Sequence, residues 1–397
     1  MGVKMDYQTR QDIRQQINAA LFPGDSQTAL KIAIQADQQY PEFLWYGLLA
    51  GDILYFYLDK EEEAYQQYGE VFLRGEAKFS TSTLSPYRYL LKRLSGIAME
   101  RKDYDAAIRY FSAFIAFQPS NFHEKDFCHY AEALYKTGKK REAIEVLQLG
   151  VRYSKSRAIR YQLSQYRGLN EPMAPFQAVF KGYRRIPIET DIIKPGWDIP
   201  EYINTITTSI RQPGDIITIA SCVVAVAEKR LRGVDEIEPT LLARWLSKFV
   251  HDDNYPFGGN APLCNPLSME MAIQEAGWLR ILLAAVFGGV LGKIIPKQGY
   301  FYRLAGEQAA LIDDMPGAIP PFDYYVILGP ADSCKTARQI RAKTGCEAAI
   351  VDANDLQIAW AVGVSSKEVK PLVESVMSDN PAGNGDQKTP IILLRKE

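Results

Sequence analysis

The chain has 397 residues, 47% apolar and 23% charged, enough for two or three domains with cores of their own. Basic residues number 46 against 47 acidic ones, a net charge of -1, so no global field draws this surface to nucleic acid or to an anionic membrane. Five cysteines (Cys128, Cys222, Cys264, Cys334 and Cys346) are scattered and never at C-x-x-C spacing, which argues against a disulfide framework or zinc site and for reduced thiols.

The polar start MGVKMDYQTRQDIRQQ has no apolar h-region, so no secretory signal is expected and the cytoplasm is the predicted location. Alanines then recur in similar settings: Ala29 in DSQTALKIA, Ala64 in KEEEAYQQY, Ala107 in DYDAAIRYF and Ala143 in KKREAIEVL, at spacings of 35, 43 and 36 residues. A Ser/Thr-rich loop at residues 79–86 accounts for most of the long gap. Pro41 and Pro119 each fall twelve residues after a repeat alanine, where a second helix should stop. The segment DFCHYAEALYKTGKKREAIEVLQLGV, residues 126–151, resembles the tetratricopeptide repeat, whose period is about 34 residues. Phe127, Tyr130 and Ala131 fall on its first helix, Gly138 makes the turn, and Ala143, Leu147 and Gly150 lie on the second.

Residues 1–165 are therefore predicted to be an all-α, tetratricopeptide-like solenoid of about four helix pairs. Such arrays bind a protein or peptide partner, or pack against the rest of their chain. The aromatic residues Tyr46, Tyr55, Tyr57, Tyr65, Tyr68, Tyr104, Tyr110, Phe111 and Phe114 are predicted as repeat core rather than ligand surface, being spaced along helices.

Residues 168–182, GLNEPMAPFQAVFKG, break the helical period, so 166–183 reads as a linker and 184–397 as a second domain. Strands are predicted at 185–192, 216–220, 324–328, 348–351 and 390–394. Helices are predicted at 198–207, 223–232, 239–249, 269–289, 334–344 and 366–377. The alternation gives an α/β or α+β domain. The longest apolar run, residues 281–292, falls short of the roughly 20 that span a bilayer and predicts a buried helix ending at a Gly-containing turn. With His123, His129 and His251 the only histidines, no Ser-His-Asp set assembles. The segment HDDNYPFGGN offers Asp252 and Asp253 to a cation or reads as an exposed loop. Cys222, at a helix start, reads as a small buried thiol rather than a nucleophile.

Four segments, in order, resemble the coenzyme F-420 gamma-glutamyl ligase family. They are RIPIETDIIKPGWDIPEYI from residue 185, PGDIITIASCVVAVAEKR from 213, LAGEQAALIDDM from 304 and AAIVDANDL from 348. A fifth, SDNPAGNGDQKTPIILLRK, resembles a Gly-rich turn leading into the last strand. The resemblance implies amide-bond formation: GTP phosphorylates a small-molecule carboxylate, and the amine of glutamate attacks the acyl phosphate. It implies GTP and a divalent metal (Mg or Mn) as cofactors, and a homodimer. It assigns Ser221, Asn384 and Asp386 to the nucleotide and Asp352, Glu307 and Gln308 to the metal. Asp352 alternatively caps a turn, and Glu307 and Gln308 alternatively sit in a solvated helix start.

The pattern also departs from the family. Val226 replaces a lysine five positions after Ser221, Gln308 replaces a metal-binding aspartate, and Ala353 replaces a threonine. Each lost charge-assisted contact costs about 1.5–3 kcal/mol. Lys229, Arg230, Arg232, Lys293, Lys297 and Arg303 are the candidate replacements. The alternative expectation is a catalytically degenerate ligase fold that serves as a scaffold and recruits a protein through its repeats.

Overall fold

A computed structural model describes residues 5–76, 85–115, 122–153, 156–169, 178–250, 262–294, 300–312, 318–354, 358–383 and 388–397. Pro119, the 251–260 segment, Asn384 and Asp386 lie outside the described residues.

Among the described residues, four helical hairpins follow one another. They are α1 (Tyr7–Leu21) with α2 (Ser26–Gln39), α3 (Trp45–Leu58) with α4 (Glu61–Glu76), α5 (Pro86–Glu100) with α6 (Tyr104–Ile115), and α7 (Glu124–Lys136) with α8 (Lys140–Tyr153). Helix α9 (Arg157–Arg167) ends the array. Asp6 and Asp25 start α1 and α2 by accepting hydrogen bonds from the amides of Thr9 and Thr28 at 2.7 and 3.0 Å. All four repeat alanines lie on the second helix of their pair and are fully buried, as helix crossings require. Gly150 serves the same end, since a Cβ there would stand 2.9 Å from the Phe127 ring. Tyr46, Tyr68, Tyr110, Phe111 and Phe114 are core residues.

The second half contains a six-stranded sheet and a two-stranded ribbon. The strands are β1 (Val179–Phe180), β2 (Tyr183–Ile188), β3 (Ile216–Ala220), β4 (Leu231–Gly233), β5 (Tyr325–Ile327), β6 (Glu347–Asn354), β7 (Ile358–Val364) and β8 (Ile391–Lys396). The sheet order is β1-β2-β8-β3-β6-β7, with β3 and β6 parallel and the other pairs antiparallel; β4 and β5 form the ribbon. Side chains alternate between the two faces. Ile217, Ile219, Ala348, Ile350 and Leu393 pack under α10 (Ile199–Thr207), α11 (Ser221–Ala227) and the later helix at Ser333–Thr344. Ile216, Ala349, Val351 and Ile392 face the last helix at Lys370–Val376.

Between β4 and β5 lie α12 (Leu241–Leu246), α13 (Pro266–Ala276), α14 (Trp278–Ile294), α15 (Tyr300–Ala305) and α16 (Glu307–Ala310). The helix at Ser333–Thr344 is α17 and that at Lys370–Val376 is α18. Residues of this insertion share one continuous apolar core with the repeats. Ionic links reinforce it. Arg93 of α5 joins Asp52 of α3 at 2.9 Å to Asp323 at 2.8 Å, with all three side chains buried. Arg14 of α1 lies 3.8 Å from Asp235 and from Glu236 and over the Tyr325 ring at 5.0 Å. Trp45, Tyr89 and Tyr324 cluster beside them. The first helices of three successive hairpins therefore grip the residues that flank the β4–β5 ribbon, the packing alternative anticipated for the array.

Several details differ from the sequence reading, among them the 223–232 helix, which ends at Ala227 before strand β4. The 269–289 helix is two helices, broken where Gly277 takes φ 87, a conformation costly for any side chain. Strand β7 was not expected; its short Ala- and Gly-containing run carries a weak strand signal. Asp352 pairs with Trp360 inside β6 and does not cap a turn. The apolar run at 281–292 is not a fully buried helix, because Leu283, Val286 and Phe287 of α14 are exposed, and α14 continues to Ile294.

Candidate functional site

Strand β3 passes into α11 without a loop: Ala220 ends the strand and Ser221 begins the helix. Ala220 is the register partner of Val351 on parallel β6, so Ser221 and Asp352 leave that ladder on chains about 4.8 Å apart. The crevice at the carboxyl ends of neighbouring parallel strands is where open α/β sheets receive ligands. Ser221 is buried. Asp352 reaches solvent, but the protein around it desolvates its carboxyl and raises its pKa, and among the described residues no cation acts in the opposite direction. Since the side chain is exposed, solvent screens much of that effect. Folded-state ionisation of Asp352 is thus mildly disfavoured, and a bound cation would relieve the cost.

The other assigned residues lie elsewhere. Gln308 is half-buried on α16; its Oε1 accepts from Arg230 Nη2 at 3.0 Å and its Nε2 donates to the Pro330 carbonyl at 3.1 Å. The same guanidinium donates to Glu275 Oε2 and to the Gly329 carbonyl, both at 2.5 Å. Glu228 accepts from the Ala331 amide at 2.7 Å and from Thr336 Oγ1 at 3.2 Å. Together these bonds pin residues 329–331 to the carboxyl-terminal end of α11, whose amino-terminal end holds Ser221. Glu307 is exposed at the start of α16. Val226 is buried in the core shared with the repeats, where an ammonium would lack a partner.

The donor chemistry divides accordingly. Asp352 fits a divalent cation: it offers an accessible carboxylate with no cation beside it among the described residues. Gln308 does not fit, because its carbonyl oxygen already accepts from a guanidinium whose positive charge would oppose a metal. Among the described residues, no group of three or more His, Cys, Asp or Glu converges on a metal position.

Sequence reasoning named Arg230 only as one of six possible replacements and missed Glu228 and Glu275. Their partners lie 45 to 108 residues away, beyond any local pattern. Arg230→Ala is expected to destabilise the fold by about 2 kcal/mol, since hydrogen bonds to a charged group contribute about 1.5–3 kcal/mol. Urea denaturation measures this; an unchanged midpoint would show that the network contributes nothing to stability.

The fold defines a class: a helical repeat array joined to a mixed-sheet α/β region. Residues 187–355 match the sequence model of the family F420-0:Gamma-glutamyl ligase, which bears out the resemblance in the second half. The repeat array is similar to structures from Podosopora anserina described as nearly identical TPR-like repeats. One is 16% identical and covers 42% of this chain and 91% of that one, at a TM-score of 0.32. A second is 14% identical and covers 42% and 90%, also at 0.32. No curated protein matches the chain.

Proposed function

We propose that residues 184–397 act as a gamma-glutamyl-ligase-like module that joins an amine to a small-molecule carboxylate, with GTP and a divalent metal as its cofactors. The family match over 187–355 carries this reading. The side-by-side exit of Ser221 and Asp352 from parallel strands supports it, since open α/β sheets receive ligands at such strand ends. In this reading Ser221 contributes its hydroxyl, Asp352 its carboxylate, and Asn384 and Asp386 further polar contacts. Gln308 takes no part in holding the metal and instead fixes the 329–331 link.

Nucleotide binding tests the proposal. GTP with magnesium or manganese is expected to raise the melting temperature, because ligand at about 100 times Kd stabilises by about 2.7 kcal/mol. Asp352→Ala should abolish the rise while leaving the melting temperature of the free protein unchanged or higher. No shift with GTP or ATP at millimolar concentration would overturn the ligase reading.

One observation favours a second reading, a non-catalytic scaffold: Arg230 donates to Gln308, the residue that the resemblance assigns to the metal. In that case a protein partner would not use the first-helix face of the early hairpins, which the residues flanking the β4–β5 ribbon cover. It would use a groove between α4, α5 and α6 lined by Phe72, Leu73, Tyr87, Arg109 and Tyr110.

A further inference from the structure

Helix α14, WLRILLAAVFGGVLGKI, is apolar on nearly every side, and such a helix ordinarily lies within a core. One side does so, with Ile281 and Ala284 buried. Yet Trp278, Leu279, Leu283, Val286 and Phe287 are 46–59% exposed, and at 100° per residue they fall within one half of the helix circumference. Residues 241–249 repeat the feature: Leu241, Trp245 and Phe249 are exposed, with the two rings edge to face at 4.9 Å. Both α12 and α14 pack against α13. Exposed apolar surface of this kind marks an interaction site.

Charge narrows the choice of occupant. LLARWLSKF and WLRILLAAVFGGVLGKI contain Arg244, Lys248, Arg280 and Lys293 and no Asp or Glu. Of the nearby acids among the described residues, Glu270 accepts from Thr240 and Glu275 pairs with Arg230, while Glu238 and Glu307 are exposed outside the two segments; Asp252, Asp253, Asp313 and Asp314 lie outside the described residues. A two-fold dimer would press this face against its own copy and bring Arg244, Lys248 and Arg280 against like charges. An anionic bilayer instead accepts both components: aromatic and aliphatic groups enter the headgroup–acyl boundary, and lysine and arginine meet the lipid phosphates.

We propose that the exposed sides of α14 and of residues 241–249 together dock the protein on the surface of an anionic lipid bilayer. No helix among the described residues is long and apolar enough to cross a membrane, so α14 lies along the surface without spanning it. The expectation of no membrane partner rested on global charge and on the shortness of the apolar run, and neither bears on a helix lying flat. The proposal is independent of the ligase reading.

The test is co-sedimentation of the full chain with vesicles of phosphatidylcholine mixed with phosphatidylglycerol, against phosphatidylcholine alone. Binding to the mixed vesicles is expected to be at least about tenfold tighter and to weaken with salt. Leu283→Glu with Phe287→Glu should reduce it by at least about tenfold, with circular dichroism and melting temperature unchanged because both side chains are exposed. Arg244→Glu with Lys248→Glu should remove the preference for anionic lipid. A blue shift of Trp245 and Trp278 fluorescence on binding would give an independent readout. Absence of binding to mixed vesicles overturns the proposal. So does a solution dimer that the Leu283→Glu/Phe287→Glu variant dissociates, since the face would then belong to a second copy.

Discussion

Arg93→Ala is expected to destabilise the protein by about 3–5 kcal/mol, the cost of removing one partner from a buried charge cluster. The guanidinium bonds Asp52 at 2.9 and 3.0 Å and Asp323 at 2.8 and 2.9 Å, and Tyr68 donates its hydroxyl to Asp52 at 2.6 Å. Removing it leaves two carboxylates inside the protein with Lys92, 3.7 Å from Asp323, and Arg88 as weaker cations on that side. Replacing all three members by apolar residues, Asp52→Leu, Arg93→Met and Asp323→Leu, should recover most of the loss, because the cost lies in uncompensated charge. If the triple variant is as unstable as the single one in urea, packing rather than charge is the cause.

The same cluster sets an acid limit. Burial pushes the Asp323 carboxyl up, but Arg93, with help from Lys92 and Arg88, pulls it down to about 2 from its ordinary 3.8. A folded-state value below the unfolded one gives stability that is complete above about pH 4 and lost as pH falls through about 2. In Arg93→Ala the sign reverses. Burial without its main cation raises the carboxyl, so the variant gains stability relative to wild type as pH falls. Melting curves from pH 7 down to the acid limit distinguish the two.

This cluster bears on function because it couples the halves of the chain. The insertion between β4 and β5 reaches the first helices of the array, and the core runs through both. A partner competing for that face would have to displace Asp323 and Tyr324 and expose buried charge. The repeats are accordingly a structural clamp on the ligase-like region over their first three hairpins. That coupling orients the exposed face of α14 relative to the crevice at Ser221 and Asp352.

Local periodicity made part of this legible. The alanine spacing located the second helices because a small residue is needed wherever two helices cross, and a repeat imposes that need at regular intervals. Strand β3 was read to its last residue because a run of β-branched residues ends at a helix start. The link between α5 and the insertion was not legible: Arg93 and Asp323 are 230 residues apart, and nothing near either one announces its partner. The same applies at the site. The ordered segments brought Ser221 and Asp352 together through the family pattern. The engagement of Gln308 with Arg230 depends on contacts 78 residues apart. For α14, composition gave the helix, but which face is covered depends on tertiary packing that hydropathy does not encode.

Gly363→Ala is expected to cost about 3 kcal/mol, the upper end for inserting a methyl group into a packed interior. Gly363 of β7 is the register partner of Ile350 on β6. A Cβ there would stand 2.3 Å from the Ser333 carbonyl carbon and 2.4 Å from its Cβ. Ser333 begins α17, whose start is held by Asp332 accepting from the Lys335 amide at 2.8 Å. No flexible side-chain end lies in the way, so either the helix or the strand must move. Moving α17 disturbs Ala337 and Ile340 in the sheet core and the Thr336–Glu228 bond; moving β7 disturbs the β6 ladder that carries Asp352. Hydrogen exchange should therefore quicken in β6 and β7 while the repeats keep their protection. Gly96→Ala supplies the control: it adds the same methyl to α5 with nothing within 4 Å, and helix propensity predicts a gain of up to about 1 kcal/mol. Equal effects of the two substitutions would mean that the approach of β7 to α17 does not limit stability. A loss confined to Gly363→Ala, with reduced GTP binding, would tie that contact to the shape of the crevice.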